Sequence, residues 1–237
     1  MAAANVQSAR GTSASSSTPT RAFGSNVTAG NLICGWIQWD SITITLNSVT
    51  DSLGNTYTLK NNPTANTTLS KRAAGFYAEN ISGGACTLTF TFSSAVTSTQ
   101  ELHEASGVAT SASFDVSAAQ GQDSPGTGAN AVTSTAATTT VNGCYIFGCA
   151  GEFSIGGPVN VGTSVAFVDA GTTFNAPGGQ QRGEYYIQPS AGSIAATFTI
   201  PSDGYTIALM MAFKPPGGGA ASWGPLLGMQ NNRLVRA

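Results

Sequence analysis

Charged side chains make up only 8% of the 237 residues, where an ordinary soluble protein carries about 25%. Nine basic residues against eleven acidic ones offer no electrostatic case for direct nucleic-acid binding, which requires several phosphates to be neutralised at once. No apolar run approaches the ~18 residues that cross a bilayer, and the opening MAAANVQSARG lacks the apolar stretch of a secretory signal, so no membrane role and no export are expected. Histidine occurs once, and GxSxG, HExxH and EF-hand spacings are absent. The four cysteines, 52, 58 and 5 positions apart, match no zinc pattern. No catalytic residues, no metal and no cofactor are therefore expected.

Small residues fill the space that charge leaves. Thirty Thr, 26 Ser and 29 Gly are poor helix interior and suit short strands joined by turns. Residues 31–39, NLICGWIQW, are apolar on both faces and predict a central strand covered on both sides. Ile42–Leu46 alternates, and so does Cys86–Phe92, with Cys86, Leu88, Phe90 and Phe92 on one face and three threonines on the other. Further strands are expected over residues 72–79, 97–105, 111–115, 136–141, 143–150, 164–167, 184–188, 194–200 and 205–213. AAQGQDSPGTGAN and NAPGGQQRG read as loops between them. The length allows one large domain or two small ones. About twelve or thirteen strands favour an all-β fold, a single antiparallel β-sandwich of jelly-roll type.

Two extensions flank this body. Residues 1–24 have no sustained period and predict a flexible N-terminal arm, leaving residues 25–214 as the sandwich domain. Lys214-Pro215-Pro216 and three glycines interrupt any strand, yet residues 215–237 also carry Trp223, Leu226, Leu227, Met229, Leu234 and Val235, which a plain linker does not need. Residues 215–237 therefore predict a docking arm. Arg10, Arg21, Lys214, Arg233 and Arg236 make both ends basic without any acid, while residues 22–213 hold four basic and all eleven acidic residues. Basic, partly apolar ends on an acidic body point to contact with a neighbouring subunit, with Arg10, Arg21, Trp223, Leu226, Leu227, Met229, Arg233, Leu234, Val235 and Arg236 as its interface.

His103 lies between Glu101 and Glu104, and strand geometry puts Glu101 on its face and Glu104 on the other. A surface or strand-end position explains it better than catalysis, because no nucleophile stands in a recognisable frame. Cys34, Cys86, Cys144 and Cys149 all fall in apolar runs and read as buried thiols. Sugar recognition would need exposed rings, for which Tyr57, Tyr77, Tyr185, Tyr186 and Trp223 are the candidates.

Asp51-Ser-Leu-Gly-Asn-Thr-Tyr57, Phe76-Tyr-Ala-Glu-Asn-Ile-Ser-Gly-Gly84, Thr87-Leu-Thr-Phe-Thr91, Glu104-Ala-Ser-Gly107 and Ala212-Phe-Lys214 together resemble a poorly characterised β-sandwich family of bacterial surface and bacteriophage structural proteins. The resemblance spans about residues 25–214 and implies framework, with no catalytic template. Combined with the arms, it implies a capsid decoration (cement) protein. Such a protein is a homo-oligomer, with a trimer favoured, that binds the major capsid protein on the outer surface of the virion after assembly in the host cytoplasm. The competing expectation is a carbohydrate-binding or host-attachment module of a tail or surface appendage.

Overall fold

The computed structural model describes residues 2–124, 130–153, 158–162, 165–170, 174–176, 179–201 and 204–217. Within these the chain is all-β and its sheets are antiparallel. Its first half contains β1 (Ala4–Ser16), β2 (Thr20–Ala22), β3 (Leu32–Trp39), β4 (Leu46–Asp51), β5 (Thr58–Asn66), β6 (Lys71–Ala78), β7 (Thr87–Phe92) and β8 (Val96–Ser106). The second half contains β9 (Phe114–Ser124), β10 (Asn130–Thr133), β11 (Ala137–Thr138), β12 (Cys144–Glu152), β13 (Asn160–Val161), β14 (Val168–Asp169), β15 (Phe174–Ala176), β16 (Gly179–Gln188), β17 (Ser193–Ile194), β18 (Thr197–Ile200) and β19 (Gly204–Phe213).

The two halves repeat one strand order. In the first, an inner sheet β1-β8-β3-β6-β5 lies against an outer sheet β2-β7-β4. In the second, β9-β19-β12-β16-β14, with β15 also on β16, lies against β10-β18-β13. Each first-half strand has a counterpart: β1 matches β9, β3 matches β12, β5 matches β14, β6 matches β16 and β8 matches β19, while β2, β7 and β4 match β10, β18 and β13. The small pair β11-β17 is an addition to the second half.

Three apolar cores follow from this layering. Ile33, Ile37, Trp39, Phe76, Phe90 and Leu102 fill the first half. Ile146, Phe198, Ile200, Ala208 and Met210 fill the second. Between the inner sheets, Leu32, Cys34 and Trp36 of β3 meet Tyr145, Phe147 and Cys149 of β12 and Leu209 and Met211 of β19. This third core explains why β3, β12 and most of β19 are buried on every residue: each inner strand serves one core with its odd positions and another with its even ones.

Several antiparallel sheets thus stand where a single sandwich was expected, and the two inner ones meet across the third core. Residues 4–16, expected in a flexible arm, form β1 and pair with β8 from Ala4↔Ser106 to Ser16↔Val96. Ladder hydrogen bonds rather than an apolar face hold this edge strand, so apolar periodicity does not reveal it. Ile42–Thr45 is not a strand, because Ser41 Oγ accepts the Thr43 and Ile44 N–H groups at 3.1 and 3.0 Å and turns the chain. The AAQGQDS segment, expected as loop, is most of β9 and pairs with β19. The expected strand at Cys86–Phe92 stands as β7, with alternating burial.

Candidate functional site

The residues singled out in the sequence part company. Arg10 is on β1, where its guanidinium lies 3.3 Å from Glu101 Oε1 and donates to the Ala170 carbonyl at 2.6 Å. Arg21 donates to the Thr12 carbonyl and to Gln100 Oε1 at 3.2 and 3.1 Å. Arg21 is thereby tied into the first half and Arg10 bridges both halves, so neither stands on a free arm. Trp223, Leu226, Leu227, Met229, Arg233, Leu234, Val235 and Arg236 lie outside the described residues. All four cysteines are buried free thiols.

His103 is fully buried in the middle of β8, not at the surface. Its Nδ1 lies 2.9 Å from the Tyr145 hydroxyl, which donates to Asn5 Oδ1 at 3.1 Å. Its Nε2 lies 3.4 Å from Glu101 Oε1. Phe147 presents an edge-on ring at 4.8 Å. Glu101 Oε2 accepts from Gln181 Nε2 at 3.4 Å, and Gln181 Oε1 accepts the Trp36 indole N–H at 3.1 Å. A polar chain therefore runs through the joint between the two inner sheets, drawing on β1, β3, β8, β12 and β16. Burial, with Cys34 and then Tyr185 and Glu101 near it, pushes the Tyr145 phenol well above its ordinary range, so it stays neutral.

Glu104, on the opposite face of β8 as expected, does a different job. It accepts from Gln7 Nε2, the Thr28 N–H and Asn31 Nδ2 at 2.7, 2.8 and 2.6 Å, pinning the segment before β3.

Of the candidate rings, Tyr57 is committed to the first core and donates to Asp51 at 2.8 Å, and Tyr185 stacks on Tyr145 at 5.9 Å. Tyr186 borders a depression of about 460 Å³ with Val165, Pro189 and Ile194. Tyr77 borders another of about 450 Å³, lined by Gly54, Asn55, Thr56, Thr58, Glu79, Asn80 and Thr110. The Tyr77 ring stacks on Phe114 at 5.5 Å and 14°, and Lys60 Nζ stands 3.8 Å over the Phe114 ring. Burial opposes ionisation of Glu79, but hydrogen bonds from Ser113 and the Ala112 N–H, with Lys214 nearby, outweigh it and hold the carboxyl below its usual range. The groove thus combines a supported ring, a fixed carboxylate and short hydroxyl and amide side chains. Thr110 also borders an adjoining depression of about 400 Å³ formed with Lys214, Pro215, Pro216 and Gly217.

Among the described residues no group of three or more His, Cys, Asp or Glu side chains could hold a metal ion. No family model, curated protein or solved structure matches the chain.

The joint's partners were invisible to a local reading of the sequence, because Tyr145 and Gln181 lie far along the chain from His103 and Glu101. A trace of the repeat is Gly75-Phe-Tyr77 against Gly183-Glu-Tyr185, each on the strand beside the apolar central one, and it is too short to reveal the duplication by itself.

Proposed function

We propose that this protein is a structural virion component that decorates and stabilises a bacteriophage capsid by bridging neighbouring subunits. In this reading each half is a jelly roll, since its strand order places the first strand beside the eighth, the eighth beside the third and the third beside the sixth, with the second, seventh and fourth in the facing sheet. The protein acts without catalysis, as a homo-oligomer on the outer surface of the capsid, assembled in the host cytoplasm and bound to the major capsid protein, with residues 215–237 as the contact between neighbouring copies.

The observation that carries the reading is the duplication. It accounts for β1 to β8 by a matched set of strands in the second half. Residues 218–237, beyond the described residues, are apolar and basic in sequence. Six large apolar side chains there could contribute on the order of 9 kcal/mol to docking before ordering costs. Arg10 and Arg21 do not join this surface, because their guanidinium groups are engaged within the body.

Antibody labelling of this chain on intact phage particles tests the proposal. Label spaced regularly over the head supports it, and particles without label overturn it.

The Tyr77 groove favours one second reading, a glycan-binding or host-attachment module. Its ring offers a sugar an apolar face while Glu79, Asn80 and the threonines offer hydrogen bonds. Label confined to the tail tip, with glycan-array binding that Tyr77→Ala abolishes, would establish it. An array without signal would remove it.

A further inference from the structure

The excess of acid is confined to one half of the body. Residues 1–113 carry five basic and five acidic residues, whereas residues 114–213 carry one basic and six acidic. Residues 214–237 carry three basic residues and no acid, together with Trp223, Leu226 and Leu227. Even with Glu184 held neutral by burial, the second half stays acidic. A basic, apolar segment therefore finds its electrostatic complement on the second half and not on the first.

The second half also presents an apolar depression at one end of its core. Ala136, Val165, Tyr186, Pro189, Ile194 and Ala195 line about 460 Å³, and the Tyr186 ring is held against Phe167 at 5.6 Å. The matching end of the first half is covered from within. There Asp51 accepts the Leu53 and Asn55 N–H groups at 2.9 and 3.0 Å and the Tyr57 hydroxyl at 2.8 Å, which lays Leu53 and Tyr57 on the first core. Leu53 ends over Gly84, where an added Cβ would meet Leu53 Cδ2 at 3.2 Å. Strand register places Val161 where the first half has Asp51, and Ile194 where it has Gly84. Val161 has no carboxylate with which to gather the chain that follows it.

The chain leaves the body beside this depression. A Cβ on Gly143 would meet Pro215 Cγ at 3.5 Å, and the Gly143 N–H donates to the Gln188 carbonyl at 2.8 Å. Gln188 and Pro189 belong to the wall of the depression. Beyond Gly217 the remaining twenty residues span up to about 65 Å when extended, enough to reach an adjacent copy. Pro215-Pro216 keeps the first step of that path extended, which favours a neighbour's depression over the chain's own.

We infer that the Tyr186 depression is the socket for residues 218–237 of a second copy, with Trp223, Leu226 and Leu227 as the apolar plug and Arg233 and Arg236 set against the acidic half around it. Each copy gives one segment and receives another. The inference rests on the reading of residues 215–237 as the contact between copies, and adds the surface that receives them.

Crosslinking in the full chain tests it. Light and ¹⁵N-labelled copies carrying a benzoylphenylalanine in place of Leu226 are refolded together and irradiated. Crosslinks should fall on residues 186–197, and about half of the crosslinked pairs should join a light to a heavy peptide. Crosslinks within single chains only, crosslinks elsewhere on the neighbour, or none at all overturn the socket. Ala136→Arg supplies the second readout, because Ala136 is exposed and its replacement leaves the cores intact. This variant should unfold at the wild-type temperature but scatter light as a single chain, and an unchanged oligomer overturns the inference. Failure of the capsid reading is separate: it appears as phage particles without label, whatever the crosslinks show.

Discussion

Glu184 occupies in the second half the place that Phe76 occupies in the first: each lies opposite the glycine of the central strand, Gly148 for Glu184 and Gly35 for Phe76. Phe76 fills its core edge-on to Phe90 at 5.3 Å. Glu184 is fully buried, and burial pushes its carboxyl up to about 9, against the opposing effect of the Thr197 and Gly162 N–H groups. At neutral pH it is therefore a neutral acid inside the fold and an ionised one in the unfolded chain.

The sign of the consequence follows. Below about pH 4 both states are protonated and Glu184 has no pH-dependent effect, whereas between there and its folded value each unit of pH favours unfolding. Glu184→Gln should leave stability near the wild-type value at pH 4. At pH 7 it should raise it by on the order of 3 kcal/mol. Denaturant midpoints at the two pH values measure this. A midpoint difference that does not grow between them would show that the carboxyl is not held neutral.

Glu104 is a buried acid met by three hydrogen-bond donors. Its repeat counterpart is Ala212, so the three donors from Gln7, Thr28 and Asn31 are particular to the first half. Glu104→Ala removes the acceptor of all three donors and should cost about 3 kcal/mol, at a net value of about 1 kcal/mol for each hydrogen bond. Amide exchange at Thr28 should accelerate more than exchange in β12. Equal acceleration at both sites would mean that Glu104 supports the whole fold and not the segment it touches.

These two acids show where sequence reading reaches and where it stops. The doubly covered β3 and the half-wet β7 were legible, because Leu32–Trp39 is apolar at every register and Thr87–Phe92 alternates without a break. The shared face of Glu101 and His103 was legible for the same reason. The duplication was not, since matched positions have exchanged chemistry: Phe76 for Glu184, Leu209 for Glu101, Met211 for His103. An edge strand of Ala, Ser, Thr and Gly such as β1 has no apolar signature, so its pairing with β8, and with it the Arg10–Glu101 contact, emerges only once the sheet is assembled.

The joint also limits how the chain can be divided. Cutting in the link after β8 would leave Leu32, Cys34 and Trp36 of one inner sheet and Tyr145, Phe147 and Cys149 of the other without cover. Exposed faces of that kind drive association. Each half expressed alone should therefore aggregate or bind a hydrophobic dye, and the two halves co-expressed should recover a soluble complex. A soluble, monomeric first half that unfolds cooperatively and binds no dye would show that the inner face needs no partner.

The thiols provide a check on the cores themselves. Burial first, and then Asp51, pushes Cys86 up to about 12, while burial and Asp115 push Cys144 up to about 11. Cys34 and Cys149 are likewise raised well above their ordinary range by burial. At pH 8 almost no thiolate exists to react. A maleimide or disulfide reagent should label none of the four in the native protein and all four in denaturant without reductant. Fewer than four in denaturant would reveal a disulfide.

Removing residues 220–237 separates the body from its proposed means of attachment. The three cores close with side chains from residues 3–213, so the truncated protein should keep the strand signature of the full chain and unfold at nearly the same temperature. Its mass in solution should fall to that of a single chain, because the apolar residues from Trp223 to Val235 are the proposed contact with neighbouring copies. Light scattering of both proteins at equal concentration measures this directly. An oligomer that survives the truncation would move the contact from residues 220–237 onto the sheets themselves, and the docking role of that segment would have to be abandoned.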